Sequence, residues 1–277
     1  MFTIEKKNKY LRMVTDYPID TTYLFYKPKT NFRNLQAIMM DMDGSSTDTE
    51  KLVLETVRQV FGVELKNKNF QFAKADYPHI IGDSKTNHFL YLIKTYGLRK
   101  EDVRQYIANY YVKYHQLLQQ IIKGKIRQQL IEPMPGLKEF LLWAKSQRIK
   151  IGLVTSSIRK EVDMIMPVVF KGMELNIPHD ELYDAIVTAD DVGEPFLKPH
   201  PNLYILARER LGAKEEQCIA IEDSSPGIAA ARVSGVSVFA VPHRHTTSHQ
   251  FELANLGVAQ KGLVDILKFL KRETKFK

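Results

Sequence analysis

Five short apolar runs constrain the chain more than any other feature: Ala37-Ile38-Met39-Met40, Ile149 to Val154, Asp184 to Thr188, Cys218 to Ile221 and Val236 to Val241. Most are separated by segments of helical periodicity, and strand alternating with helix predicts βαβ units and a parallel sheet. Three intervening helices carry end signals: Pro135-Gly136 ahead of Leu137 to Gln147, Gly212 behind Leu203 to Leu211, and Gly235 behind Ile228 to Ser234. From Leu52 to Ile131 the rhythm breaks. This stretch has long helical periodicity, as in Val103, Ile107, Tyr110, Tyr111 and Tyr114, and no convincing strand, so it is a helical insertion after the first strand. Tyr106, Tyr110 and Tyr114 fall on one helical face, a spacing that suits a core stripe better than a pocket lining. The expected division is an N-terminal extension over 1–34, a core over 35–50 and 132–277, and the helical insertion over 51–131. The extension contains Tyr23-Leu24-Phe25-Tyr26, which suits an edge strand or a packing arm.

Chemistry enters where the apolar runs end. Asp41-Met42-Asp43-Gly44 follows the first run directly, at the carboxyl edge where an open α/β sheet places its ligands. Two carboxylates in a partly desolvated crevice repel unless a cation or a proton intervenes, so the pair points to a metal. Taken alone, it also fits an Asp-Gly turn with the second Asp capping a helix. An EF-hand is excluded, because Gly44 comes three residues after Asp41 and that loop needs its glycine five residues after the first ligand. Thr155-Ser156-Ser157 ends the second run. Hydroxyls and backbone N–H groups entering a helix make an anion site, although a plain N-cap explains the same residues. Lys198 lies in Leu197-Lys198-Pro199-His200-Pro201, where two prolines stiffen the loop. Glu222-Asp223 ends the fourth run, ahead of a helix start at Ser225-Pro226. With Asp41 and Asp43 these would form a four-carboxylate cluster, a set of hard oxygen donors suited to Mg²⁺.

The rest of the composition narrows the class. With 277 residues, 44% of them apolar, the chain can bury one large core or a core and a smaller domain. Cys218 is the single cysteine, which excludes a disulfide framework and suits a reducing, cytoplasmic setting. No stretch approaches the roughly 18 apolar residues of a membrane span, and the first residues lack a signal-peptide apolar segment. A net charge of +8 and a pI near 9.3 favour an anionic partner. The basic residues are dispersed, with no aromatic platform among them, so a small phosphorylated molecule is expected and nucleic acid is not. Nothing in the sequence sets the oligomeric state.

Asp41-Met42-Asp43-Gly44 with Asp48-Thr49-Glu50, then Thr155, Lys198 and Glu222-Asp223, resembles the haloacid dehalogenase superfamily, in its branch of sugar-phosphate and nucleotide phosphatases and β-phosphoglucomutases. All four motifs occur in family order across roughly residues 36–277. The resemblance implies an α/β fold: a Rossmann-like parallel core of strand order 5-4-1-2-3 with an inserted helical cap domain. It implies Asp41 as nucleophile and Asp43 as general acid and base. It implies Mg²⁺ held by Asp41, by the Asp43 backbone carbonyl and by Asp223, with Glu222 nearby, and a phosphoryl group held by Thr155, Ser156 and Lys198. The activity it implies is hydrolysis of a small phosphate monoester, a sugar phosphate or nucleotide-like, through an aspartyl-phosphate. Asp43 favours phosphoryl transfer over carbon–halogen cleavage. A phosphosugar mutase is the alternative, and Val53 weighs against it, because such mutases carry a histidine five residues after the flap aspartate, here Asp48. A non-catalytic binding protein on the same fold is a third reading, prompted by Ser45-Ser46 where relatives usually have apolar residues and where a looser flap is expected. Residues 1–34 are the second departure, since most relatives start only a few residues before the nucleophile. His243, His245 and His249, in a polar loop, suit a surface better than a transition-metal site.

Overall fold

Ala37 to Met40 are buried on both faces, which is possible only for an inner strand of a sheet covered on both sides. In a computed structural model of the chain, residues 2–7, 10–15, 20–26, 28–80, 85–99, 102–126, 128–243 and 251–274 are described. Strands are numbered along the chain: β1 (Phe2–Lys6), β2 (Leu11–Thr15), β3 (Thr21–Phe25), β4 (Ala37–Met40), β5 (Thr47–Asp48), β6 (Glu132–Pro133), β7 (Lys150–Val154), β8 (Ala185–Val187), β9 (Cys218–Glu222), β10 (Ser237–Ala240) and β11 (Gly257–Val258). Six of them form a parallel sheet of order β11-β10-β9-β4-β7-β8. The five strands from β10 to β8 have the 5-4-1-2-3 order expected, and the two-residue β11 adds an edge beside β10 that the apolar pattern does not reveal.

Register decides what meets at the carboxyl edge. Met40 is paired with Ile221 on β9 and with Leu153 on β7, so Asp41, Glu222 and Val154 emerge at one level. The chain leaves β4 between two neighbours whose connections run to opposite sides, and that switch point opens a crevice. Around the sheet run α5 (Leu137–Ser146), α6 (Arg159–Gly172), α7 (His179–Leu182), α8 (Ala189–Val192), α9 (Asn202–Leu211), α10 (Ser225–Val233) and α11 (Leu263–Glu273). They follow the α-helices described in the insertion, α1 (Glu50–Glu64), α2 (Tyr77–Ile80), α3 (Lys85–Tyr96) and α4 (Val103–Ile122).

By compactness the chain divides into two units, one of Met1–Thr47, Pro133–Pro242 and Gln250–Lys277, the other of Asp48–Glu132 with His243–His249. The second unit has its own aromatic core. Phe61 of α1 meets Phe70, Phe89 and Tyr106 at ring separations of 6.2, 6.0 and 6.1 Å. Tyr106, Tyr110 and Tyr114 are buried in α4, and the Tyr110 and Tyr114 rings stack at 5.6 Å. The tyrosine stripe is therefore core. Buried Asp76 accepts the hydroxyls of Tyr91 and Tyr96 at 3.0 and 2.5 Å.

The first described residues add no edge strand to the parallel sheet; of the two expectations, an edge strand or a packing arm, it is packing on the core that they show, in the form of a small sheet. β1, β2 and β3 pair antiparallel in order as a sheet of their own. Its inner face places Met13 and Phe25 in the main core cluster, with Phe2, Ile4, Leu11 and Tyr23 packed against it, while Leu24 and Tyr26 point to solvent. Alternate residues of a strand face opposite sides, so one row of the sheet seals the core and the other is wet.

Candidate active site

The turn that leaves β4 is fixed by its own hydrogen bonds. The Asp41 amide donates to the Ile221 carbonyl at 3.0 Å, and Ser46 and Thr47 amides donate to the Met42 carbonyl at 2.9 and 2.8 Å. The Ser46 hydroxyl donates to the Asp41 carbonyl at 2.7 Å. Ser45 and Ser46 are fully buried, so the flap turn is cross-braced where the sequence suggests looseness. Ser46 replaces apolar packing with a bond to the backbone of Asp41 itself.

Three carboxylates converge beneath this turn. Asp41, Glu222 and Asp223 each offer an oxygen within 4.8 Å of the others, and all three are buried. Lys198 joins them: its Nζ donates to Asp41 Oδ1 at 2.5 Å, lies 2.7 Å from Glu222 Oε1 and donates to the Val154 carbonyl at 3.0 Å. The ammonium also stands 5.4 Å from the centre of the Tyr204 ring, whose hydroxyl donates to Glu222 Oε1 at 2.6 Å. Two glycines admit the acids. A Cβ on Gly44, which sits at φ +83°, would fall 2.0 Å from Asp223 Oδ2, and one on Gly227 would fall 2.0 to 2.2 Å from the Glu222 carboxylate.

Asp43 stands apart from the cluster predicted for four carboxylates. Its Oδ2 accepts the Ser157 hydroxyl at 3.3 Å, and only the other three acids meet. Thr155 is buried, and its Oγ1 accepts the Ser157 amide at 3.0 Å, which leaves the hydroxyl proton free to donate to an anion. Ser156 is exposed at the mouth of the same turn. Tyr204 and Ser157 escape a reading of the sequence: Ser157 is visible only as the end of a hydroxyl run, and Tyr204 reaches the site through the phase of α9.

Burial, then the negative charge of Glu222 and Asp43, pushes the Asp41 carboxyl up to about 8 against the pull of Lys198. Asp223 is raised for the same reasons, burial first and then Asp41 and Glu222. For Lys198 burial acts to lower the pKa, but the two carboxylates reverse it and hold the ammonium charged. Three carboxylates facing one ammonium leave a formal excess of two negative charges, which protons or a divalent cation must balance. An all-oxygen donor set of this kind fits Mg²⁺.

His243, expected at the surface, is buried beside Asp48 and Glu50. Burial opposes its charge, but the two acids prevail and raise it to about 9. His245 and His249 lie outside the described residues.

A parallel sheet with acids from two strands converging on a lysine at its carboxyl edge, and with a helical insertion after the first of those strands, defines a hydrolase of the Rossmann-like α/β class. More narrowly, the chain is a member of the haloacid dehalogenase-like hydrolase family, whose profile matches residues 38–241. It is 26% identical over 210 residues to the phosphorylated carbohydrates phosphatase of Thermotoga maritima, covering 76% of this chain and 86% of that one. Protein CbbY of Rhodobacter capsulatus is 24% identical over 223 residues, 80% of this chain and 91% of its own length. The fold matches the crystal structure of CbbY from Rhodobacter sphaeroides in complex with phosphate with a TM-score of 0.60 at 21% identity, over 82% of this chain and 99% of that one. Among the described residues no helix is long and apolar enough to cross a membrane.

Proposed function

We propose that the protein is a Mg²⁺-dependent phosphatase that hydrolyses a small phosphate monoester, of the phosphorylated-sugar class, through an aspartyl-phosphate on Asp41. The observation that carries this reading is the buried Lys198 ammonium 2.5 Å from Asp41 Oδ1, a cation that favours the ionised form of the nucleophile against burial and is placed to receive a phosphoryl oxygen. Asp41, Asp223 and the Asp43 carbonyl, with Glu222 behind them, would hold Mg²⁺, which when bound shields the phosphate from the carboxylates it must approach.

In the first half-reaction an Asp41 carboxylate oxygen attacks phosphorus. The bond from phosphorus to the ester oxygen breaks, and that oxygen leaves as the alcohol with the proton of the Asp43 carboxyl. In the second, Asp43 takes a proton from water, the water oxygen attacks phosphorus, and inorganic phosphate departs as the Asp41 carboxylate is restored. Lys198, the Thr155 hydroxyl and the amides around Ser156 hold the phosphoryl oxygens as charge spreads over them. The bond from Ser157 to Asp43 Oδ2 orients the acid. Val53, a side chain without a proton to transfer, keeps the reading at hydrolysis and away from the mutase.

The test is a screen of phosphate monoesters with Mg²⁺, read as inorganic phosphate released by the wild type and by Asp41→Asn. The variant should lose more than about 10³-fold in kcat while keeping its melting temperature. Comparable turnover by Asp41→Asn would remove the nucleophile assignment. Build-up of glucose 6-phosphate from β-glucose 1-phosphate with a trace of the 1,6-bisphosphate would favour the mutase.

A further inference from the structure

The N-terminal sheet lies outside the stretch matched to the family, yet one of its side chains reaches the loop that carries Lys198. That loop has little backbone to hold it. Pro199 and Pro201 have no N–H to donate, and the His200 amide closes a local turn on the Leu197 carbonyl at 2.9 Å. The His200 side chain supplies the missing anchor: it is fully buried, and its Nδ1 is hydrogen-bonded to the Tyr23 hydroxyl at 2.8 Å. The two rings also meet edge to face, 5.8 Å apart.

Tyr23 is itself well founded. It belongs to the inward row of β3, and the next residue of that row, Phe25, is buried in the core beneath the Arg232 guanidinium at 5.7 Å. Burial keeps the His200 imidazole below its ordinary pKa and so neutral. A neutral ring withdrawn from water needs partners for its nitrogens, and Tyr23 provides the one at Nδ1. Two residues earlier, the Lys198 ammonium must satisfy Asp41, Glu222 and the Val154 carbonyl at once. Bonds of 2.5 to 3.0 Å tolerate little movement of the backbone that launches the lysine.

We propose that Tyr23 is a positioning residue of the candidate active site: its hydrogen bond to His200 fixes the loop that aims Lys198 at Asp41. In its rate consequences this rests on the phosphatase reading. The brace itself does not.

The experiment is a double-mutant cycle on the full chain with Mg²⁺ and p-nitrophenyl phosphate, paired with NMR of the Lys198 ammonium, assigned by its disappearance in Lys198→Ala. Tyr23→Phe keeps the ring and removes only the hydroxyl. It should lower kcat about three- to tenfold, the worth of one neutral hydrogen bond, with KM changed less than about twofold, and it should shift the ammonium resonance. In the Lys198→Ala background the same substitution should change kcat by less than about 1.5-fold, since coupled residues are not additive. His200→Ala should reproduce the loss, and Tyr23→Phe should add nothing to it. An equal loss in both backgrounds, an unchanged kcat or an unmoved ammonium signal would each overturn the assignment. If the wild type releases phosphate from no monoester, the phosphatase reading fails and the ammonium signal alone tests the brace.

Discussion

Gly227 and Gly44 serve the candidate site for different reasons. Gly44 needs both a left-handed backbone and space beside Asp223, whereas Gly227 is helical and needs only the space that the Glu222 carboxylate occupies. Glu222 cannot yield that space at little cost, because Tyr204 and Lys198 hold it. Gly227→Ala should therefore cost about 1–3 kcal/mol of stability, as overpacking does. Thermal melts check this. Adding Glu222→Ala should return part of the loss, and a double variant no more stable than Gly227→Ala would show that the crowding is elsewhere. At this scale the sequence is legible where chemistry follows an apolar run. Asp41, Thr155, Glu222 and Asp223 each stand at a strand end, so their positions can be read. Tyr204 cannot be read in this way, because helix α9 looks the same from the sequence whichever way its tyrosine points.

Among the elements, the N-terminal sheet was the least legible. Strand pairing between distant residues leaves little local signal, and β1 and β2 alternate only weakly, with burial of Met13 and Thr15 clear and that of their neighbours partial. The parallel strands were easier, since a strand covered on both faces must be apolar throughout. The four-residue β4 and five-residue β9 are fully buried, whereas β11 has two residues and neither is buried. Met13 measures how far the small sheet belongs to the core. It is fully buried in the same cluster as Ile228 and Ala229 of α10, so Met13→Ala should cost about 2–5 kcal/mol, read by chemical denaturation. A loss below about 1 kcal/mol, typical of a surface position, would mean that the sheet is only laid against the core.

For the whole molecule, acidity and metal are linked. In the fold Asp41 keeps its proton up to about 8 and Asp223 is raised too, whereas in the unfolded chain such carboxyls ionise near pH 4. Without metal the native state thus binds more protons across that window, and stability falls as pH rises. His243 acts in the same direction. Raised to about 9, it stabilises fully below its unfolded value of about 6.5, and that contribution disappears as pH climbs through 9. Melting temperature in a chelator should therefore decline steadily from mildly acidic to alkaline pH. Mg²⁺ should flatten the carboxylate part and leave a smaller decline that His243→Gln abolishes. A chelated protein with no such decline would contradict the raised carboxyls. The N-terminal sheet has a practical consequence as well. A gene shortened to the stretch shared with the family, beginning at residue 38, would omit Met13 and Phe25 and uncover the apolar ground beneath them. Its product should collect in inclusion bodies, so a bench protocol copied from the shorter relatives would discard the folded enzyme at the cloning step.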